Sequence, residues 1–164
     1  MEKKIVLVTG GSRGIGRGIV KLLAHEGYTV IANYKQSDDK ANSLKQELQN
    51  DGIEIDIYKA DVSVRSEVKN MIEYIINKYH SLDVIVNNAG IDQEKMLQDI
   101  TDEDFNEVIK NNLYSVFCVT QEGLPHMISN HSGCIINISS IYGVTGGSCA
   151  SVYSATKARN YWIY

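Results

Sequence analysis

Tyr153 and Lys157 stand four positions apart in the run Tyr-Ser-Ala-Thr-Lys, and Ser139-Ser140 precede them at the end of an apolar stretch, Cys134 to Ile138. Positions four apart on a helix share a face, so the Lys157 ammonium is expected beside the Tyr153 phenol. An unperturbed tyrosine titrates near 10, and a neighbouring cation favours the phenolate at about 1.4 kcal/mol for each pH unit. Tyr153 thereby becomes an acid–base group suited to a developing alkoxide, and the Ser140 hydroxyl can orient and polarise the same oxygen. Taken singly, Ser140 reads equally well as a turn hydroxyl. The spacing alone is not distinctive either, because Tyr74-Ile-Ile-Asn-Lys78 repeats it in a helical segment without a candidate partner, which reads as helix surface. Position separates the two copies: Ser139 and Ser140 follow a buried strand at the sheet edge where ligands of such folds bind.

A second cluster carries different chemistry. The apolar run from Ile5 leads into Thr9-Gly10-Gly11-Ser12-Arg13-Gly14-Ile15-Gly16, and an apolar helix with Ile19, Val20, Leu22 and Leu23 follows. Glycines there permit a tight turn and close backbone approach, while the helix N-terminus offers free N–H groups and a positive dipole to a pyrophosphate. A plain strand-to-helix turn also favours glycine, but the flanking strand and helix are those that a dinucleotide cradle requires. At the end of the second apolar run, Ile31-Ala32-Asn33-Tyr34-Lys35-Gln36-Ser37, no acidic side chain takes the place that holds the ribose of NAD; Asn33 or Tyr34 stands there. Lys35, Ser37 and Arg13 are instead suited to a 2′-phosphate, which favours NADP (as NADPH) over NAD. Read otherwise, Lys35 and Arg13 are solvated charges, and Asp38 and Asp39 blunt their field.

The elements that must position these groups form an alternation. Ile5 to Thr9, Tyr28 to Tyr34, Ile53 to Tyr58, Leu82 to Asn87 and Cys134 to Ile138 read as strands separated by helix-length stretches, hence a parallel sheet. Gly27 and Gly52 read as glycines just past helix ends, Ser37 caps the second helix, Ser63 opens the one running to Tyr79, and Thr101-x-x-Asp104 resembles a capping box. The third strand alternates, Ile53, Ile55 and Ile57 against Glu54, Asp56 and Tyr58, as an edge strand should. The fold class is therefore α/β, a Rossmann-type doubly wound sheet in the order 3-2-1-4-5 that lacks the last strands, as one incomplete domain over residues 1–164.

Composition sets the bounds. The 164 residues are 43% apolar and 22% charged, which places the chain among ordinary globular domains. A net charge of −4 argues against nucleic acid as a partner. Met1-Glu2-Lys3-Lys4 precedes only Ile5 to Val8 before the glycine loop, too little for a signal segment or membrane span, so a cytoplasmic location without membrane partners is expected. Cys118, Cys134 and Cys149 share no zinc spacing and read as reduced, buried thiols; His25, His80, His126 and His131 have no metal-ligand spacing either.

The spacing Thr-Gly-x-x-x-Gly-x-Gly resembles the short-chain dehydrogenase/reductase family. Asn87-Asn88-Ala89-Gly90, Asn112 in Asn-Leu-Tyr-Ser-Val-Phe, and Ser140 with Tyr153 and Lys157 agree with it, from Lys3 to about Ala158. The resemblance implies an enzyme in which a nicotinamide gives hydride to a carbonyl, with Asn112, Ser140, Tyr153 and Lys157 catalytic. It implies cofactor contacts from Gly10, Ser12, Arg13, Gly14, Ile15 and Gly16, from Asn33, Tyr34, Lys35 and Ser37, from Asp61 and Val62 at the adenine, from Asn88, Ala89 and Gly90, and from Tyr153 and Lys157. Asp61 reads equally as a cap before Ser63. Asn33-Tyr34, the run to Ile91 and the Asn112 motif look most like β-ketoacyl carrier-protein reductases, implying a free or carrier-bound ketone substrate. Glucose dehydrogenases and other alcohol-oxidising relatives share these motifs.

The ending departs from that family. Its helix continues Gly-Ile-Ile-Gly-Phe-Thr-Lys where this chain reads Arg159-Asn160-Tyr161-Trp162-Ile163-Tyr164, and the two tails can be written as one nucleotide string in two frames. The expectation is that one inserted nucleotide near the Ala158 codon truncated a reductase ahead of its sixth strand, nicotinamide-holding loop and lid. Family homo-oligomers use a four-helix interface that the helix begun at Val152 would be too short to form, and the fifth strand would become an aggregation-prone edge. Two further classes therefore stand beside the reductase: an inactive dinucleotide-binding remnant, and an interaction fragment pairing through its sheet edge.

Overall fold

The computed structural model describes residues 3–160; Met1, Glu2 and the Tyr161 to Tyr164 part of the divergent tail lie outside them. Ile5–Val8 (β1) is apolar and buried along its whole length, which requires cover on both faces of the sheet. Alternate side chains supply it. Ile5 and Leu7 join a core with Val68, Met71, Ile72, Ile75, Cys118 and Val119, whereas Val6 and Val8 join another with Val20, Ala24, Leu44 and Leu48. The second core is covered by α1 (Gly14–His25) and α2 (Asp38–Asn50), the first by α3 (Arg65–Tyr79) and α5 (Ser115–Ser129).

The strands are β1, β2 (Thr29–Tyr34), β3 (Asp56–Lys59), β4 (Val84–Asn87) and β5 (Cys134–Asn137), all parallel in the expected order β3-β2-β1-β4-β5. Beyond β4 come α4 (Asp102–Ile109), a π turn at Lys110–Tyr114, and α5; beyond β5 come α6 (Tyr142–Thr145) and α7 (Ser151–Arg159). Among the described residues no helix is long and apolar enough to cross a membrane. At the edge, β5 turns Cys134 and Ile136 outward, Ile136 at 45% exposure, while Ile135 packs on the core.

Thr101 and Asp104 form the anticipated capping box. Other local expectations need correction. β3 begins at Asp56 rather than Ile53, because the Ile53 N–H donates to Leu48 O at the end of α2 and pairing starts where Asp56 meets Ile31. Ser37 precedes α2 without a capping side-chain bond. Ser63 does not open α3: its N–H and hydroxyl both donate to Asp61 Oδ1, at 2.9 and 2.6 Å, and the helix starts two residues later. Cys118 is buried, but Cys134 and Cys149 are exposed, Cys134 on the edge strand and Cys149 in a left-handed turn at φ 55°.

The second Tyr-x-x-x-Lys pair is not bare helix surface. Asp56 Oδ2 accepts from Tyr74 at 2.8 Å, Lys78 at 2.6 Å and Tyr79 at 2.6 Å, pinning α3 to the edge strand. Burial pushes the Asp56 carboxyl up, but Lys78 and the two phenols outweigh it and hold it below the usual carboxylate value. Burial and the carboxylate push Tyr79 up to about 12. These directions suit a structural lock and oppose an acid–base role. Because the folded Asp56 value is depressed, its stabilisation is present above the ordinary carboxyl range and lost as pH falls through the folded value. Asp56→Ala should therefore lower unfolding free energy by about 2 kcal/mol at neutral pH, with a smaller difference from the parent in acid; denaturant titrations at both pH values check this.

Candidate functional site

Parallel strands deliver their carboxyl ends to one edge, and the β1 and β4 ends are latched there. Thr9 Oγ1 accepts from Asn88 N and Ala89 N, each at 3.0 Å, and Asn88 Nδ2 donates to Thr9 O at 2.9 Å. The glycine loop is thereby fixed to the Asn88-Ala89-Gly90 segment. Within it, a side chain on Gly16 would stand 2.2 Å from Gly10 O, so that crossing tolerates only glycine. The first α1 bond to close runs from Arg17 N to Arg13 O, which leaves the Gly14, Ile15 and Gly16 amides outside the helical ladder at the positive end of the helix.

A cleft of about 430 Å³ opens above this helix end. It is lined by Gly10, Ser12, Arg13, Gly14, Ile15 and Gly16, by Asn33, Tyr34, Lys35 and Ser37, by Asp61 and Val62, and by Asn88, Ala89 and Gly90. All the expected cofactor residues outside α7 thus face one space of small-molecule size. Gln36, Ala60, Ile91, Glu107 and Asn111 line it too and were not anticipated. Glu107 and Asn111 lie one helical turn apart just before Asn112, a periodicity that could have pointed to them.

The charged end of the cleft differs from a set of free cations. Lys35 Nζ pairs with Asp61 Oδ2 at 2.8 Å. Burial pushes the Asp61 carboxyl up, while Lys35 and Ser63 together hold it below its usual range. Asp38, a candidate for blunting the field, is itself bonded by Lys59 at 2.6 Å and Tyr34 at 3.0 Å. Asn33 is 1% exposed, and its Nδ2 donates to Ala60 O at 3.0 Å and Tyr58 O at 3.3 Å. Asn33 accordingly ties β2 to β3, and Arg13 is exposed at the cleft.

Asn112, Tyr153 and Lys157 are tied together by hydrogen bonds to backbone and to Thr156. Asn112 sits in the π turn, fully buried; its Oδ1 accepts from Ile91 N at 2.8 Å and its Nδ2 donates to Ile91 O at 2.9 Å and Thr156 Oγ1 at 3.3 Å. Thr156, also unanticipated, passes the connection to α7 by donating to Tyr153 O at 2.7 Å. Lys157 is 6% exposed, donates to Ile138 O at 2.9 Å and stands 5.8 Å from the Tyr153 ring centre. Ser139 donates to Lys157 O at 2.7 Å, the Tyr142 ring meets Tyr153 edge-on at 6.4 Å, and Ser140 Oγ accepts from Tyr142 N at 3.2 Å. The segment after β5 is thereby packed on the Tyr153–Lys157 face. A side chain at Gly143 would meet the Lys157 carbonyl carbon at 2.7 Å, so this packing also needs glycine. Gly90 joins the two halves: a Cβ there would lie 3.0 Å from Asn112 Oδ1 and 3.6 Å from Lys157 Nζ.

The family described as short chain dehydrogenase matches residues 4–159. A 3-oxoacyl-[acyl-carrier-protein] reductase of Staphylococcus epidermidis is 43% identical over 155 residues, covering 94% of this chain and 64% of the relative. The reductase of that name from Thermotoga maritima is 39% identical over 158 residues, covering 96% and 64%. That of Chlamydia pneumoniae is 36% identical over 155 residues, covering 94% and 62%. The chain therefore spans somewhat less than two thirds of the curated relatives it matches.

Burial pushes the Lys157 ammonium below its ordinary value of 10.5. The charged form is penalised in the folded chain fully below the depressed value, and the penalty fades as pH rises to the ordinary one. In the chain alone, Lys157→Met should raise unfolding free energy near neutral pH, with a gain that shrinks in strong alkali. Denaturant unfolding across pH checks this, and a net loss of stability contradicts it.

Proposed function

The chain belongs to the short-chain dehydrogenase family, and from that premise we propose that it is an NADPH-dependent oxidoreductase that reduces the ketone of a 3-oxoacyl thioester, free or carrier-bound, to a hydroxyl. The observation that carries the reading is the meeting at Gly90 of the dinucleotide cleft with Asn112 and Lys157. The names of the relatives support the substrate class.

The cradle suits the cofactor. The Gly14, Ile15 and Gly16 amides would meet the pyrophosphate, Asp61 and Val62 the adenine, Asn88, Ala89 and Gly90 the neighbouring ribose, and Lys157 with Tyr153 the nicotinamide ribose. When bound, the nicotinamide supplies the hydride. Tyr153 donates its phenolic proton to the alkoxide oxygen that forms, and Ser140 holds that oxygen with its hydroxyl. Lys157 favours the phenolate left on Tyr153, and its near-complete burial strengthens that interaction by excluding water. Asn112, anchored on Ile91, keeps the relay geometry that returns a proton toward Lys157 through water. Incubating the chain with NADPH and an acetoacetyl thioester tests the reading: NADPH-dependent reduction that Tyr153→Phe abolishes is expected, and equal turnover by the variant contradicts the mechanism.

Arg13, Lys35 and Ser37 would receive the 2′-phosphate, with Lys35 shared between it and Asp61. Arg13→Ala and Lys35→Ala should each weaken NADPH by about 1.5–3 kcal/mol and NADH much less. Lys35→Ala should cost more, because it also uncovers the Asp61 carboxylate beside the phosphate. Fluorescence titrations with both cofactors check this, and equal losses for the two contradict it.

A further inference from the structure

Gln93, on the connection from β4 to α4, is only 7% exposed, yet neither Nε2 nor Oε1 of its side chain has a hydrogen-bond partner among the described residues. Buried amides are almost always partnered, and one left unmet carries the cost of its own desolvation. The backbone around it is held from both sides. Two residues earlier Asn112 grips Ile91 through N and O, and two residues later Lys95 N donates to Cys149 O at 2.8 Å. Cys149 belongs to the approach to α7, which carries Tyr153. The Gln93 segment therefore bridges the element that carries Asn112 and the one that carries Tyr153. Its own N–H is taken by Asp92 Oδ1 at 2.8 Å, while among the described residues the side-chain amide of Gln93 is left unmet.

We infer that Gln93 is a specificity residue whose Nε2 donates to a second carbonyl on the substrate, beside the ketone that is reduced. The inference rests on the ketone-reductase reading above and deepens it. The reacting oxygen is served by the hydroxyls of Ser140 and Tyr153, so a simple ketone leaves Gln93 unmet. A 1,3-dicarbonyl such as a 3-oxoacyl thioester brings a further acceptor at a fixed short separation. A site with a buried polar group that needs its partner rejects the analogue that lacks it far more strongly than an apolar pocket rejects a size change.

The test compares two probes in the presence of NADP+, which fills the cofactor site without turnover: the acetoacetyl thioester of N-acetylcysteamine, and the thioether ketone that lacks only its thioester carbonyl. Binding is read by ligand-observed NMR. The parent chain should prefer the thioester by about tenfold or more, equivalent to about 1.4 kcal/mol. Gln93→Met, of similar volume, should lose that preference, keep NADP+ affinity, and melt at or above the parent temperature because an unmet amide has been removed. An unchanged preference in Gln93→Met, or a melting temperature lowered by several degrees, overturns the inference. NADP+ binding by the parent with no preference between probes overturns it while leaving the cofactor reading intact; failure to bind NADP+ overturns both.

Discussion

Everything at the site depends on parallel pairing that brings the ends of β1, β4 and β5 to one edge. Val8 lies opposite Val86, and Asn87 opposite Asn137. The residues that follow, Thr9, Asn88 and Ile138, then come within hydrogen-bonding range of one another's elements. Thr9 holds Asn88 and Ala89, Ile138 N donates to Asn87 O at 2.9 Å, and Ile138 O receives the Lys157 ammonium. One register thus sets both the height of the glycine loop and the depth of the lysine. A shift of one residue in β4 would turn Ile85 and Val86 to the wrong faces and part the two halves of the site together.

The site also opposes stability. Lys157 is an ammonium placed where few charges are tolerated, with a backbone carbonyl as its hydrogen-bond acceptor. Among the described residues Gln93 adds a buried amide without partners, and Asn87 Oδ1 and Asn160 Oδ1 are buried acceptors in the same condition. Such groups lie at the end of β4, in the connection that follows it and along α7 rather than under α1 and α2, where the core is apolar. The π turn at Lys110–Tyr114 belongs to the same set, since it directs Asn112 inward at the expense of regular helix bonding.

Much of this was legible in the chain because it is written in local patterns. The β-branched runs mark the strands, and the order of the sheet follows from their alternation with helix-length stretches in the doubly wound pattern. Residues that must be small or must stand four apart, such as Gly16 or Tyr153 with Lys157, are visible as spacing. What escaped depends on partners distant in sequence. Ser63 looks like a cap until Asp61 is seen to accept both its donors. Tyr74 and Lys78 look idle until β3 brings Asp56 beneath them. Lys35 looks like a free cation until α/β packing sets Asp61 2.8 Å away. The π turn has no compositional mark, because Lys-Asn-Asn-Leu-Tyr is as compatible with ordinary helix, and Gln93 reads as a loop residue until its burial is known.

Whether the latched β1 and β4 ends form a dinucleotide cradle is decided by calorimetric titration of NADPH into the chain, with cooperative melting checked on the same sample. Saturable one-to-one binding that 2′-phospho-ADP-ribose competes away is expected, since the proposed contacts of the cradle fall on the pyrophosphate and adenosine half. A chain that melts cooperatively yet shows no saturable heat with NADPH would contradict it.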